Sequence, residues 1–322
     1  MTRVLYLSHA TPEVYEIIRT AAPADIELVT LDRDSDDERC GKLADADVVI
    51  VAAYPFRRPL IDAARNLKLV HSQGVGYHDT LDVVALRERG IPIALTPEGT
   101  TTGVAEHAIL LMLAACKLLP FADRELREGR FHINALRPQS REIAGMTIGY
   151  VGFGRIGQAV ATRLKVFGTN GLYADAAVAL DATAQVALGV RRASLDEVLA
   201  AADIVSLHLP LTGETRGLIG RDAIARMKAG AILVNTARGG IVDEDALADA
   251  LATGHLAAAG LDVFTKEPPD VSHRLLGRPN VGVTPHISAG TRDALAAKMA
   301  ALFANVVRFQ RGEPLLNKVP DA

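Results

Sequence analysis

The sequence predicts an α/β protein of two doubly wound parallel-sheet domains, and three observations carry that prediction. Short apolar, β-prone runs alternate with helix-compatible runs along almost the whole chain. At 322 residues the chain exceeds what one hydrophobic core usually serves, so two cores are the default. In the middle, the apolar run 148–151 ends on Gly152-Phe153-Gly154-Arg155-Ile156-Gly157, a G-x-G-x-x-G between strand-like and helix-like sequence.

In the first hundred residues, 4–8, 26–31, 48–52, 69–72 and 92–95 read as strands. The runs 12–20, 59–64 and 82–89 read as helices or parts of them, and the alternation argues for a parallel sheet. The acidic stretch 32–39 reads as a solvated loop. Loops at the C-terminal ends of parallel strands gather ligands. The loop after 69–72, Gln73-Gly74-Val75-Gly76-Tyr77-His78-Asp79, is therefore the first to inspect. Its glycines expose backbone N–H groups suited to an anion, although an ordinary glycine turn explains them equally well.

A breaker-rich loop at 96–102 leads into 104–119, a long, almost wholly apolar helix with Glu106 and His107 near its start. A helix apolar all round is buried, so a domain or subunit junction is expected there. Pro120 opens an amphipathic run, 121–129, and 131–140 is irregular; the first domain boundary falls near residue 100. In the glycine motif, Gly152 permits a tight turn, Gly154 lets backbone approach a pyrophosphate, and Gly157 lets the next helix, 158–167, pack close. That helix N-terminus offers N–H groups to phosphates. The next strand, 171–173, leads to Asp175, where a carboxylate about 20 residues past the glycines suits ribose hydroxyls. Together these point to a dinucleotide. Asp175 is followed by Ala176-Ala177 with no adjacent arginine, so a 2′-phosphate would meet an uncompensated carboxylate. The expectation is NAD (NADH) over NADP.

Beyond Asp175, helices are read at 195–201, 221–227 and 244–253, and strands at 204–209, 231–235, 257–262 and 281–283. That is enough for a six- or seven-stranded nucleotide-binding sheet. The long helical pattern 291–312 follows when those strands are spent, so it is expected to return to the first domain and make a hinged pair with a cleft.

Three strand ends in this second half deliver polar groups where apolar sequence stops. Arg238 follows 231–235 and precedes two glycines, Asp262 and Glu267 follow 257–261, and His286 follows 281–283. In a parallel sheet all three loops open on the edge that carries the glycine motif. Singly, each has a plain structural explanation: a loop salt bridge, a solvated acid, a neighbour of a helix cap. Jointly they suit 2-oxo acid reduction. Arginine binds a carboxylate bidentately, and histidine gives a proton to a developing alkoxide while glutamate orients it. His208 ends another strand on the same edge and suits the adenine or ribose side better than proton transfer.

Net charge is −3 with a pI near 6.3, which gives no electrostatic footprint for nucleic acid or an anionic membrane. Cys40 and Cys116 form neither a ligand spacing nor a disulfide framework. No leader is read at the N-terminus, and the longest uncharged apolar run, 108–116, is too short to span a bilayer. A cytoplasmic protein is expected. His71, His78, His107 and His132 lack metal-ligand spacing, so no metal is expected.

The motifs Val104-Ala105-Glu106-His107, 149–157 with Asp175, His208-Leu209-Pro210-Leu211-Thr212, 235–243, 261–268 and Pro285-His286-Ile287 occur in one order. In them the chain resembles the NAD-dependent D-isomer-specific 2-hydroxyacid dehydrogenases over nearly its whole length. The resemblance implies a flavodoxin-like substrate-binding domain, 1–100 and 288–322, with a Rossmann NAD-binding domain, 101–287, inserted between. It implies Arg238, Glu267 and His286 as catalytic residues and Gly74, Val75, Gly76, Arg238 and His286 as substrate-binding ones. For the cofactor it implies Gly152, Gly154 and Gly157, with Arg155 and Ile156 on the pyrophosphate and Asp175 on the ribose. Val104, His208, Leu209, Pro210, Thr215, Ala237, Arg238, His286 and Ser288 complete those contacts, with Thr236 and Asp262 toward the nicotinamide. A homodimer through the helix near 104–119 is implied as well.

Two departures bear on the substrate. The loop 76–82 is one residue longer than the common Gly-x-Asp-x-x-Asp form, which can re-aim Tyr77 or His78. The sequence closes at Ala322, so the expectation is against the long, serine-regulated phosphoglycerate dehydrogenases. The expected function is NAD-dependent interconversion of a small 2-oxo acid and its D-2-hydroxy acid. The alternatives are an NAD(H)-sensing, corepressor-like binding protein and a phosphite-type dehydrogenase on the same fold.

Overall fold

In a computed structural model, which describes residues 1–78 and 80–320, the short apolar runs become two separate parallel sheets. The chain divides into two units: Met1–Thr100 with Gly290–Ala322, and Thr101–Ala289. Asp79, part of the lengthened loop, lies outside the described residues.

The first unit alternates β1 (Thr2–Tyr6), α1 (Pro12–Ala21), β2 (Ile26–Val29), α2 (Asp36–Leu43), β3 (Val48–Val51), α3 (Arg58–Ala63), β4 (Leu69–Ser72), α4 (Val83–Glu88) and β5 (Ile93–Leu95). Its sheet runs β2-β1-β3-β4-β5, every pair parallel, the strand order of a flavodoxin-like sheet. A central parallel strand is covered on both faces, and so β3 is an unbroken Val-Val-Ile-Val. Alternate side chains serve two cores. Leu5, Val49 and Val70 face one, with Phe56 and Leu86, while Val4, Ile50 and Leu69 face the other. That second core is closed by Met299, Leu302, Phe303 and Val306 of the helix Arg292–Gln310, which packs on the first unit's sheet as part of that unit.

The acidic stretch is the expected loop only as far as Ser35. Asp36–Leu43 is helical: Ser35 Oγ accepts the Glu38 N–H, and Asp36, Asp37 and Glu38 fill the first turn. Carboxylates there complement the positive end of the helix dipole, with Lys42 at the other end. The Glu38 carboxylate also accepts the N–H groups of Asp32 and Arg33 at 2.8 and 2.7 Å. The same acidity that suits a solvated loop suits a helix start.

The second unit opens with α5 (Thr100–Cys116), which begins four residues before the expected start, and α6 (Leu119–Arg127). It continues through β6 (Thr147–Val151), α7 (Arg155–Leu164), β7 (Asn170–Ala174), α8 (Ala182–Leu188), β8 (Val190–Arg192), α9 (Leu195–Ala201) and β9 (Ile204–Leu207). The remainder is α10 (Arg221–Arg226), β10 (Ala231–Asn235), α11 (Glu244–Thr253), β11 (Leu256–Leu261) and β12 (Val281–Val283). Its sheet has seven strands in the order β12-β11-β10-β9-β6-β7-β8, all parallel. The sequence direction reverses between β6 and β9, the switch point at which crossover helices leave on opposite faces and a crevice opens. Ala105, Ala108, Leu111, Met112 and Ala115 of α5 pack in one core with Ile148, Tyr150, Ile232 and Val234. Among the described residues, no single helix is long and apolar enough to cross a membrane.

Candidate active site

The glycine turn sits at the switch point. Gly152 has φ 86°, and a Cβ there would lie 2.6 Å from the His208 carbonyl oxygen, so the β6 and β9 loops touch backbone to backbone. A Cβ on Gly157 would lie 2.8 Å from the Gly152 carbonyl oxygen, which draws α7 against the end of β6. A Cβ on Gly154 would meet nothing within 4 Å, so this face of the turn is open. Gly154 is the N-cap of α7 and brings no side-chain cap to the first-turn N–H groups of Arg155, Ile156 and Gly157.

Asp175, just beyond β7, closes the other side of the turn. Its Oδ2 accepts the Phe153 N–H at 2.6 Å, and its Oδ1 accepts those of Ala177 and Val178, both at 2.8 Å. Burial raises its carboxyl, but these bonds and the nearby Arg192 charge outweigh it and hold the group below the ordinary carboxylate value. Arg192 ends β8, and its Nη2 donates to the Asp175 carbonyl at 3.1 Å. Sheet pairing, not sequence adjacency, brings this guanidinium to Asp175.

Next along the edge, both ring nitrogens of His208 are buried with no hydrogen-bond partner. Burial pushes this imidazole down to about 4, so it is neutral at ordinary pH. Leu209 packs against the core, and Thr215 Oγ1 donates to the Pro210 carbonyl at 2.6 Å, so Thr215 folds that loop on itself. Thr236, just past β10, is 6% exposed and its hydroxyl is likewise unpartnered. Val104 is buried in α5. Buried polar atoms are normally satisfied, so these orphans along the strand edge that bears the glycine turn fit a polar ligand such as a dinucleotide.

The Arg238 loop is built by Asn235. Asn235 Oδ1 accepts the Ala237 N–H at 2.9 Å and its Nδ2 donates to the Arg238 carbonyl at 2.8 Å, a side-chain clip across the turn. Gly239 follows, and a Cβ there would lie 1.9 Å from the Phe264 carbonyl carbon. Only glycine lets this loop meet the one after β11. That contact sets Glu267 near Arg238. Glu267 Oε1 accepts the Phe264 N–H at 2.9 Å, and Oε2 pairs with His286 Nδ1 at 2.8 Å. Burial raises the Glu267 carboxyl, but the His286 and Phe264 hydrogen bonds and the charges of His286 and Arg238 bring it below the ordinary value. Beside the pair lies a largely apolar pocket of about 340 Å³, lined by Pro268, Pro269, Leu276, Val283 and Pro285.

Asp262 stands beneath this pair and is fully buried. Its carboxylate accepts the Thr284 hydroxyl at 2.6 Å and the N–H groups of Ile287 and Ser288 at 2.9 and 3.0 Å. Its observed work is to hold the His286 loop. Ser288 is buried against it.

In the first unit, Gly74, Val75 and Gly76 lie on the loop after β4, with Val75 exposed. The Gly74 carbonyl accepts the Thr96 N–H at 3.3 Å. Tyr77 and His78 stack with ring centroids 4.1 Å apart, Tyr77 half-buried on the core and His78 outward. Among the described residues no group of three or more His, Cys, Asp or Glu side chains is set to hold a metal.

A Rossmann sheet with a bare glycine turn, an acid just past the next strand and an Arg–Glu–His edge defines the class of dinucleotide-binding proteins. The family model for the D-isomer specific 2-hydroxyacid dehydrogenase NAD binding domain matches residues 109–288. A D-3-phosphoglycerate dehydrogenase of Archaeoglobus fulgidus is 43% identical over 272 residues, covering 84% of this chain and 51% of that protein. The chain thus spans about half the length of that relative. A hydroxypyruvate reductase of Thermotoga maritima is 40% identical over 269 residues, 83% of this chain and 85% of the other. Among solved structures, an NAD-dependent formate dehydrogenase of Staphylococcus aureus in complex with NAD aligns over 100% of this chain and 99% of its own, with TM-score 0.86 and 31% identity. The chain belongs to the D-isomer-specific 2-hydroxyacid dehydrogenase family and carries that family's NAD binding domain.

Proposed function

We propose that this protein is an NAD(H)-dependent dehydrogenase that interconverts a small 2-oxo acid and the corresponding D-2-hydroxy acid. The observation that carries the reading is the 2.8 Å pairing of His286 with Glu267, on the strand edge that also bears the Arg238 loop. Nδ1 faces Glu267, which leaves Nε2 to give its proton to the substrate oxygen. Glu267 fixes the orientation of the ring through Nδ1. Arg238 holds the substrate carboxylate in a bidentate pair and polarises the adjacent carbonyl. Val75 and Gly76 are the candidates for further backbone donors to that carboxylate, beside Gly74, whose own N–H donates to Ser72 Oγ at 3.4 Å. In support, a Cβ on Gly74 would meet nothing within 4 Å. When bound, NADH supplies the hydride.

Its Asp175 ribose site, His208, Thr236 and the α7 N-terminus are the proposed cofactor contacts. A homodimer through α5 and α6 is supported by exposed Leu110, Leu119 and Leu126, with Phe131 and Ile133 just beyond. A cytoplasmic site of action accords with two unpaired cysteines.

The test is NADH oxidation with glyoxylate, hydroxypyruvate, pyruvate and 2-oxoglutarate, with phosphite plus NAD as a further arm. Turnover of at least one 2-oxo acid, lost in His286→Ala, is the expected result. Silence with every acid while NADH still binds would overturn the reading in favour of a sensor. Phosphite oxidation alone would overturn it in favour of the phosphite-type enzyme.

A further inference from the structure

His286 occupies a left-handed backbone conformation, φ 54°, which is strained for a residue other than glycine. What holds it there is Asp262. The Asp262 carbonyl accepts the His286 N–H at 2.8 Å, and its carboxylate accepts the two N–H groups that follow, those of Ile287 and Ser288. The loop is therefore only as well placed as the Asp262 carboxylate. That carboxylate has a further partner in Thr284, whose hydroxyl donates to Oδ1 at 2.6 Å. A hydroxyl has one proton. With it given to Asp262, Thr284 Oγ1 is an acceptor toward its other neighbour, His107 Nε2, at 2.9 Å.

His107 lies in the second turn of α5, its side chain 11% exposed, with Nε2 3.6 Å from Asp262 Oδ1. The direction of the bonds is thus set: His107 Nε2–H to Thr284 Oγ, and Thr284 Oγ–H to Asp262 Oδ1. None of the chemistry assigned above uses His107 or Thr284.

We propose that His107 and Thr284 are positioning residues for His286, acting as an ordered donor chain from α5 that fixes the Asp262 carboxylate under the His286 loop. The inference rests on the reading of His286 as the acid. Helix α5 is anchored by its own apolar packing, and the donor chain transmits that fixed position to the side chain that meets Glu267. Loss of the chain leaves the Asp262 carboxylate held only by the Ile287 and Ser288 N–H groups of the loop it must position, and relaxes the strained loop.

The experiment compares Thr284→Val, Thr284→Ser, His107→Phe and His286→Ala in the full chain. It reads kcat, KM for the 2-oxo acid, NADH affinity, and the ring N–H signal of His107 in protein labelled with ¹⁵N-histidine. Thr284→Val is expected to lower kcat about 10–100-fold, the scale of a small misplacement of a reacting group. NADH affinity stays within about twofold, because the glycine turn is untouched. Thr284→Ser restores kcat. The His107 N–H signal, sheltered from exchange in the parent and in Thr284→Ser, is lost in Thr284→Val. His107→Phe leaves the Thr284–Asp262 bond in place and costs about 3–10-fold in kcat, and it serves as the second arm should Thr284→Val fail to fold. Wild-type kcat in both Thr284→Val and His107→Phe, with His286→Ala inactive, overturns this inference and spares the reading of His286. Full activity in His286→Ala overturns that reading and this inference with it. A fall in kcat that Thr284→Ser does not reverse also overturns the inference, since it would mark a packing defect.

Discussion

His286 Nδ1 and Glu267 Oε2 stand 2.8 Å apart although they come from the ends of different strands, and each is fixed by backbone bonds of its own loop. The pair is pre-formed by three constraints: the Phe264 N–H on Glu267, the Asp262 clamp under His286, and the close approach of Gly239 to Phe264. A proton donor held this way loses little entropy at the moment of reaction.

Replacement of Glu267 by Gln keeps the shape and removes the charge. Glu267→Gln is expected to lower kcat about 10–100-fold, less than the 10²–10⁴-fold expected for His286→Ala. NADH affinity should be unchanged in both. Steady-state kinetics with a tight fluorescence measurement of NADH binding decide it, and an equal loss of NADH affinity would show that the pair supports the cofactor and not the proton.

Gly239→Ala tests the loop contact. A methyl group 1.9 Å from the Phe264 carbonyl carbon forces one loop away from the other. The expected cost is about 1–3 kcal/mol of stability, as for other overpacked sites, together with a raised KM for the acid because Arg238 moves with its loop. Thermal unfolding and KM measured on the same preparation check this. A variant that keeps parental stability and KM would show that the loops are not coupled.

Much of the fold was legible because parallel strands buried on both faces are short apolar runs, as in Val48–Val51 and Ala231–Asn235. The edge strand β8 was not, since Val-Arg-Arg has no apolar signature, and neither was α2, whose acidic start reads as solvent-facing loop. The site follows the same division. Residues at strand ends can be found by where apolar sequence stops, which is how Arg238, Glu267 and His286 stand out. Contacts made by packing cannot: His107 meets Thr284 across 177 residues, and Arg192 reaches Asp175 only because β8 pairs with β7.

That last contact bears on cofactor choice. Asp175 disfavours a 2′-phosphate, yet Arg192 supplies a cation within reach of the same place. Asp175→Ser is therefore expected to raise kcat/KM for NADPH and lower it for NADH, each about tenfold, the worth of one charge-assisted hydrogen bond. Arg192→Ala in that background should remove the NADPH gain. Rates with both reduced cofactors measure it, and an Asp175→Ser enzyme that loses NADH without gaining NADPH would exclude Arg192 from the ribose site.

Acid stability should be governed by two buried imidazoles, one in each unit. Burial pushes His71 and His208 down to about 4 from an ordinary 6.5. For His71 the hydrogen bonds agree. Asn305 is fixed by donating to the Leu316 carbonyl and accepting the Leu316 N–H, so its Nδ2 can only donate to His71 Nε2, at 3.0 Å. A protonated Nε2 would set donor against donor. Between pH 6.5 and about 4 the unfolded chain therefore binds more protons than the folded one, and stability falls as pH falls through that window. Each imidazole contributes a slope of up to about 1.4 kcal/mol per pH unit. Urea unfolding across this range should show it, with His71→Gln flattening the slope for the first unit and His208→Gln for the second. A slope unchanged in both variants would place the proton uptake on other groups.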